Sequence, residues 1–290
     1  MLSTLTRCLA LALPLVIASR AAAGPETVYF RSADGATELV GYLFKPATPG
    51  PHGAVVMLHG RAGPYSANVN ADCTQVARSV ASACNAGSLS KRHAMWGAYW
   101  AARGYLALLP DSFGPRGKAH GFGRFTHDDP DRDSVNEVTV RPLDAEGALT
   151  FLRARSDVTP SRIFLQGWSN GGSTALNVMI RQGARQDGFR GALAFYPGCG
   201  RRALSDLIIA TSAPIAMYLG SDDEEVSPTI CQHVADRSRA AGSRVDLTLY
   251  QGATHDFDDP GEKRQSVPEN ATAKDDAMKR ALATVEGMRE

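Results

Sequence analysis

Short apolar runs alternate along this chain with segments whose apolar residues recur every three or four positions. Residues 38–44, 54–59, 105–109, 162–165, 192–196, 213–219 and 245–250 read as strands. The run Ala54-Val55-Val56-Met57-Leu58 has no polar interruption, as expected of a strand buried on both faces. Between the runs lie helical patterns. One is framed by Trp96, Tyr99 and Trp100 and ends near Gly104, a residue suited to a helix C-cap. Another covers 141–155, with Ala145, Ala148, Leu149 and Leu152 on one stripe. Others cover 171–182, 228–240 and 271–288. The helix over 228–240 opens at Ser227-Pro228, a serine cap followed by proline at the first helical position. Strand and helix in turn predict an α/β fold, a mostly parallel sheet with helices on both faces. Ligands in such sheets bind beyond the C-terminal strand ends. The residues that follow each strand therefore carry the chemistry.

After the strand at 162–165 comes Gly167-Trp168-Ser169-Asn170-Gly171-Gly172, a G-x-S-x-G sequence between a strand and a helix. That context is what a nucleophile elbow requires. The chain turns sharply at the serine, and small neighbours leave its hydroxyl exposed. A nucleophilic serine needs a base, and the base needs an orienting acid, in the chain order Ser, Asp or Glu, His. The loop after 213–219 reads Gly220-Ser221-Asp222-Asp223-Glu224-Glu225, and that after 245–250 reads Gly252-Ala253-Thr254-His255-Asp256-Phe257. Ser169 and His255 are the expected nucleophile and base. Four neighbouring carboxylates compete for the acid; Asp223 is preferred and Asp222 is the runner-up, with the rest of the run read as a solvated face. The oxyanion donors are expected to be the backbone N–H groups of Asn170 and of Arg61, in the His59-Gly60-Arg61-Ala62-Gly63 loop.

Composition narrows the class. With 43% hydrophobic and 21% charged residues the chain is ordinary for a globular domain, so disorder is excluded. A formal net charge of +1 gives no sign of a nucleic-acid partner. Arg7, an apolar run over residues 8–18 and the small residues Ala21-Ala22-Ala23-Gly24 read as a signal peptide cleaved after Ala23, with residues 24–290 forming one domain. The run is too short to span a membrane. Four cysteines then remain, Cys73, Cys84, Cys199 and Cys231, and an even number in an exported chain points to two disulfides with three open pairings. Without a CxxC pair, and with only His233 near a cysteine, no metal site is expected.

The assembled motifs resemble the dienelactone hydrolase family, in particular its exported members. The resemblance rests on His59 to Gly63, Gly104-Tyr105, Pro110 to Gly117, Gly167 to Gly172, Tyr196-Pro197-Gly198-Cys199, Gly220 to Cys231 and Gly252 to Phe257. It implies an α/β-hydrolase fold with no metal or organic cofactor, and an acid three residues after Gly220, which favours Asp223. A serine with a His–Asp pair is the ordinary machinery of ester hydrolysis, so a small-molecule ester or lactone is the expected substrate. The family proper carries cysteine where this chain has Ser169, so the lactone substrate does not transfer directly. Under the resemblance Cys199, after one strand, and Cys231, at the start of the helix after the next, fall at one sheet edge and pair, leaving Cys73 with Cys84.

Weaker features complete the reading. Trp168 and Arg116 are candidate pocket residues, and Arg61 is a second candidate for an anionic group. Trp96 and Trp100 fit a pocket or the core equally. Asp129-Pro130-Asp131-Arg132-Asp133 begins like a calcium loop but lacks its glycine and glutamate, so it reads as a solvated loop. Asn270-Ala271-Thr272 matches a glycosylation acceptor, without meaning in a bacterial host. The irregular stretches 64–92 and 112–138 read as lids or pocket walls. The expected function is serine-dependent ester or lactone hydrolysis. Peptide or polyester cleavage by the same triad, or a non-catalytic binding role, are the alternatives.

Overall fold

The computed structural model describes residues 24–288, so the proposed signal peptide lies outside the described residues. Eight strands form one sheet: β1 (Glu26–Arg31), β2 (Glu38–Phe44), β3 (His52–Leu58), β4 (Tyr105–Asp111), β5 (Val158–Trp168), β6 (Ala192–Phe195), β7 (Ile215–Gly220) and β8 (Val245–Tyr250). Their spatial order is β1-β2-β4-β3-β5-β6-β7-β8. The pairs β1–β2 and β2–β4 are antiparallel, and every other pair is parallel. The helices are α1 (Lys91–Ala101), α2 (Arg141–Arg153), α3 (Asn170–Gln182), α4 (Pro228–Ala240), α5 (Glu262–Gln265) and α6 (Pro268–Gly287).

The apolar runs became the central strands for the expected reason. Ala54 to Leu58 and Tyr105 to Leu109 are at most 1% exposed, covered on both faces. Parallel register then aligns strand ends: Leu58 pairs with Gly167, Gly167 with Ala194, and Gly220 with Tyr250. The loops after β3, β5, β7 and β8 therefore emerge side by side at one edge.

Several elements differ from expectation, three of them with a clear cause. β1 was not anticipated; its charged ends and half-exposed pattern weaken the apolar signal of an edge strand. β5 begins at Val158, beyond the expected 162–165, because its exposed extension carries Thr159-Pro160-Ser161. α6 begins at Pro268, three residues early, with proline in its first turn. The disulfides are Cys73–Cys84, with Cα atoms 6.0 Å apart, and Cys199–Cys231, at 5.1 Å. The second joins the segment after β6 to α4, which follows the acidic loop. Such bridges persist in oxidising compartments. No helix among the described residues is long and apolar enough to cross a membrane.

Candidate active site

The turn from β5 into α3 is built around Ser169, whose φ of 52° and ψ of −118° lie where side chains rarely sit. Two glycines permit it. A Cβ on Gly167 would meet the Gly171 carbonyl oxygen at 2.1 Å, and a Cβ on Gly171 would meet the Leu58 carbonyl oxygen at 2.0 Å. The sequence pattern thus has a steric cause: backbone passes through the space that side chains would occupy.

His255, in the loop after β8, brings Nε2 to 3.0 Å from Ser169 Oγ. Its Nδ1 lies 2.8 Å from Asp223 Oδ2. The other Asp223 oxygen accepts the backbone N–H groups of Glu225 and Val226, both at 2.9 Å, which fixes the carboxylate. Asp222 is exposed, and its side chain accepts from the Ser221 hydroxyl at 2.7 Å and from no other described residue. Geometry therefore selects Asp223 over the runner-up. The acidic run is only in part the solvated face the sequence suggested: Asp222 and Glu224 are exposed, but Glu224 and Glu225 are both engaged with the site. Glu224 Oε2 accepts the His255 backbone N–H at 2.9 Å, and Glu225 holds the Arg61 guanidinium through two 3.0 Å bonds. Burial disfavours charge on the His255 ring. The hydrogen bond to Asp223 and the charges of Asp256, Asp223 and Glu225 outweigh that cost, so its pKa lies above the ordinary histidine value.

The oxyanion donors expected from sequence sit where the two strand ends meet. Asn170 opens α3, so its N–H has no intrahelical acceptor. Arg61 follows β3, and Gly60, Arg61, Ser169 and His255 line one small cavity of about 50 Å³. The buried His59 braces this loop. Its Nδ1 is 2.8 Å from the Gly60 carbonyl oxygen, and its Nε2 accepts the Ser112 N–H at 3.3 Å. That assigns the neutral ring with hydrogen on Nδ1. Burial, with the nearby Arg141 cation, pushes its pKa well down, consistent with a neutral ring.

Two candidate pocket residues are corrected. Trp168 is 0% exposed, and its indole N–H donates to Asp258 Oδ2 at 2.8 Å, so it lies in the core behind the serine. Trp96 and Trp100 are buried likewise. Arg116 lines neither cavity that includes Ser169. Its guanidinium makes two 2.8 Å bonds to Asp144 and one of 3.2 Å to Asp34, tying the β1–β2 turn to α2. The Arg61 side chain is occupied by Glu225 and by the Phe122 carbonyl. Asn270, in the glycosylation pattern, is fully buried and holds Thr254 through its side chain, so it is closed to modification.

Sequence reasoning missed the support behind His255. Asp258 Oδ2 accepts both the Trp96 and Trp168 indole N–H groups, at 2.7 and 2.8 Å, and Oδ1 accepts the Tyr196 hydroxyl at 2.5 Å. Arg92, from α1, pairs with Asp256 and donates to the Tyr196 hydroxyl at 2.6 Å. Burial disfavours the Asp256 charge, but the adjacent Arg92 holds its carboxyl well below the usual range. The Tyr196 ring packs 4.6 Å from that of His255. The only local signal was an aspartate three residues beyond the histidine. Arg141 was missed too. Fully buried, it donates to the His59 carbonyl at 2.7 Å and to the Asn170 side chain, clamping the two proposed donor segments together.

Residues 87–288 match the dienelactone hydrolase family. Solved structures of low identity share the fold. A protein designated a dienelactone hydrolase from Klebsiella pneumoniae has 16% identity and a TM-score of 0.65, over 90% of this chain and 99% of its own. The propionate-bound esterase 2 of Thermogutta terrifontis has 18% identity and a TM-score of 0.61, over 92% and 95%. A dienelactone hydrolase-like promiscuous phosphotriesterase from metagenomic libraries has 19% and 0.64, over 92% and 99%. No curated protein matches the chain. With the family matched over more than two thirds of its length, this chain belongs to the dienelactone hydrolase family and is a hydrolase of ester bonds.

Proposed function

We propose that this protein is an exported serine esterase that cleaves small carboxylic esters or lactones through an acyl-enzyme on Ser169. The observation that carries the reading is the unbroken chain from Asp223 Oδ2 through His255 to Ser169 Oγ, with links of 2.8 and 3.0 Å. In this mechanism His255 Nε2 takes the serine proton as Oγ attacks the acyl carbon. The Asn170 and Arg61 N–H groups hold the oxyanion, each worth roughly 3 kcal/mol of transition-state stabilisation. His255 returns the proton to the leaving alcohol, then activates water to release the acid. Asp223 keeps the imidazole in the productive tautomer.

The disulfides and the signal-like N-terminus support export. The named activities of the similar structures, esterase and phosphotriesterase, suit a serine that attacks an electrophilic ester. The test is phenyl acetate hydrolysis by wild type and Ser169→Ala. The reading expects activity in the first and at most background in the second; equal rates refute it.

A further inference from the structure

Ser169 faces a second cavity besides the one beside His255. It has a volume of about 30 Å³ and is walled by Ser173, Gly198, Ala203, Val226 and the exposed Phe125. In the proposed mechanism the cavity shared with His255, whose Nε2 would protonate the leaving group, would take the alcohol, and the second cavity, lined by Asn170 and Ser173 of α3, would take the acyl group. Its far wall is made of His127, Arg132 and Glu137, and the same three residues line an outer cavity of about 390 Å³.

This wall is chemically unusual. Arg132 and Glu137 are each only 6% exposed. Buried charges are ordinarily paired. Here no carboxylate among the described residues lies within 4.0 Å of the Arg132 guanidinium, and none of Lys, Arg or His lies within that distance of the Glu137 carboxylate. Among the described residues the one side-chain hydrogen bond of Arg132 is a 3.4 Å contact to the Thr126 hydroxyl, and its guanidinium lies 5.5 Å from the centre of the Phe122 ring. Glu137 is anchored through its backbone, whose carbonyl accepts from Asn177 Nδ2 at 2.9 Å. Asn177 also ties down the Ala203 carbonyl across the cavity, at 2.8 Å. In the Asp129–Asp133 loop Asp131 and Asp133 stay exposed as expected, but Arg132 is buried, and with the buried Glu137 it brings a cationic donor and an anionic acceptor to one opening.

We propose that Arg132 and Glu137 form a recognition pair for a hydroxyl group on the acyl part of the substrate. A hydroxyl accepts from the guanidinium and donates to the carboxylate at once. An alkyl chain does neither and would leave both charges unpaired. A terminal carboxylate satisfies Arg132 but is repelled by Glu137. The inner cavity holds the first few acyl carbons, and the outer one has space for a further hydroxylated segment. The substrate class is therefore an ester or lactone of a hydroxy acid. This inference rests on the proposed hydrolase reading and narrows it.

The test compares kcat/KM for phenyl esters of 3-hydroxybutanoate, butanoate and succinate, the ratio being taken within each protein so that differences in folded fraction cancel. Wild type is expected to favour hydroxybutanoate over butanoate by tenfold or more, and over succinate as well. Arg132→Met and Glu137→Leu should bring the first ratio to within about threefold of unity. The near-isosteric Glu137→Gln removes the repulsion and should rank succinate above hydroxybutanoate. Preference of the wild type for butanoate, or ratios unmoved by Glu137→Gln, overturns this inference alone. Hydrolysis of none of the three, with no labelling of Ser169 by a fluorophosphonate, overturns the hydrolase reading and this inference with it.

Discussion

Replacing Arg141 by methionine separates a role in positioning the site from a role in the fold. The side chain is fully buried, and no carboxylate among the described residues lies within 4.0 Å of its guanidinium. Burial, opposed in part by the charges of Asp144 and Glu137, lowers its pKa from 12.5 to about 10. That corresponds to roughly 3 kcal/mol against the charged form. Methionine relieves that cost and fills similar volume. It also strands the His59 carbonyl and the Asn170 amide oxygen, at roughly 1–3 kcal/mol each. The two terms nearly cancel, so the stability loss should be about 1–2 kcal/mol. The kinetic cost should be larger. The lost bonds fix the two segments proposed to supply the oxyanion donors, and losing one donor costs up to roughly 3 kcal/mol, or about a hundredfold. The expected result is a kcat for phenyl acetate some 10- to 100-fold below wild type, KM changed less than threefold, and a urea midpoint only slightly reduced. A variant with kcat within twofold of wild type and a stability loss above about 3 kcal/mol would refute the reasoning and leave Arg141 a fold residue only.

Other consequences are equally measurable. Asp223→Asn should lower kcat by about four orders of magnitude, while Asp222→Asn should stay within about twofold; comparable losses in both would contradict the assignment of the acid. Gly171→Ala should destabilise by at least about 3 kcal/mol or prevent folding, since the new Cβ would sit 2.0 Å from the Leu58 carbonyl oxygen; thermal melting checks this. The base acts neutral, and its pKa is raised, so activity should fall on acidification through a midpoint above 6.5. Asp256→Asn removes one charge that raises it and should shift the acidic limb of the kcat/KM profile to lower pH. An unshifted limb would show that Asp256 does not act on His255.

The features legible in the sequence were those with local causes. Buried parallel strands read as unbroken apolar runs, and the elbow glycines read directly because backbone occupies the space of their absent side chains. The order of Ser169, Asp223 and His255 followed from the strand ends that carry them. The misread residues owe their roles to distant partners. Trp168 turns inward because Asp258, 90 positions later, accepts its N–H. Arg116 faces Asp144 and Asp34, from separate elements, in preference to the site. Arg132 lies between the exposed Asp131 and Asp133, and it alone turns inward, toward the Thr126 hydroxyl and the Phe122 ring. β1 escaped notice because an edge strand with charged ends lacks the apolar density of its neighbours.

The central claim is that His255 and Asp223 make Ser169 a nucleophile, and fluorophosphonate labelling read by intact-protein mass spectrometry tests it most directly. The account predicts a single adduct on the wild type, mapped by peptide analysis to Ser169, no adduct on Ser169→Ala, and strongly slowed labelling of His255→Ala. Equal labelling of wild type and Ser169→Ala, or an adduct mapped elsewhere, would contradict it.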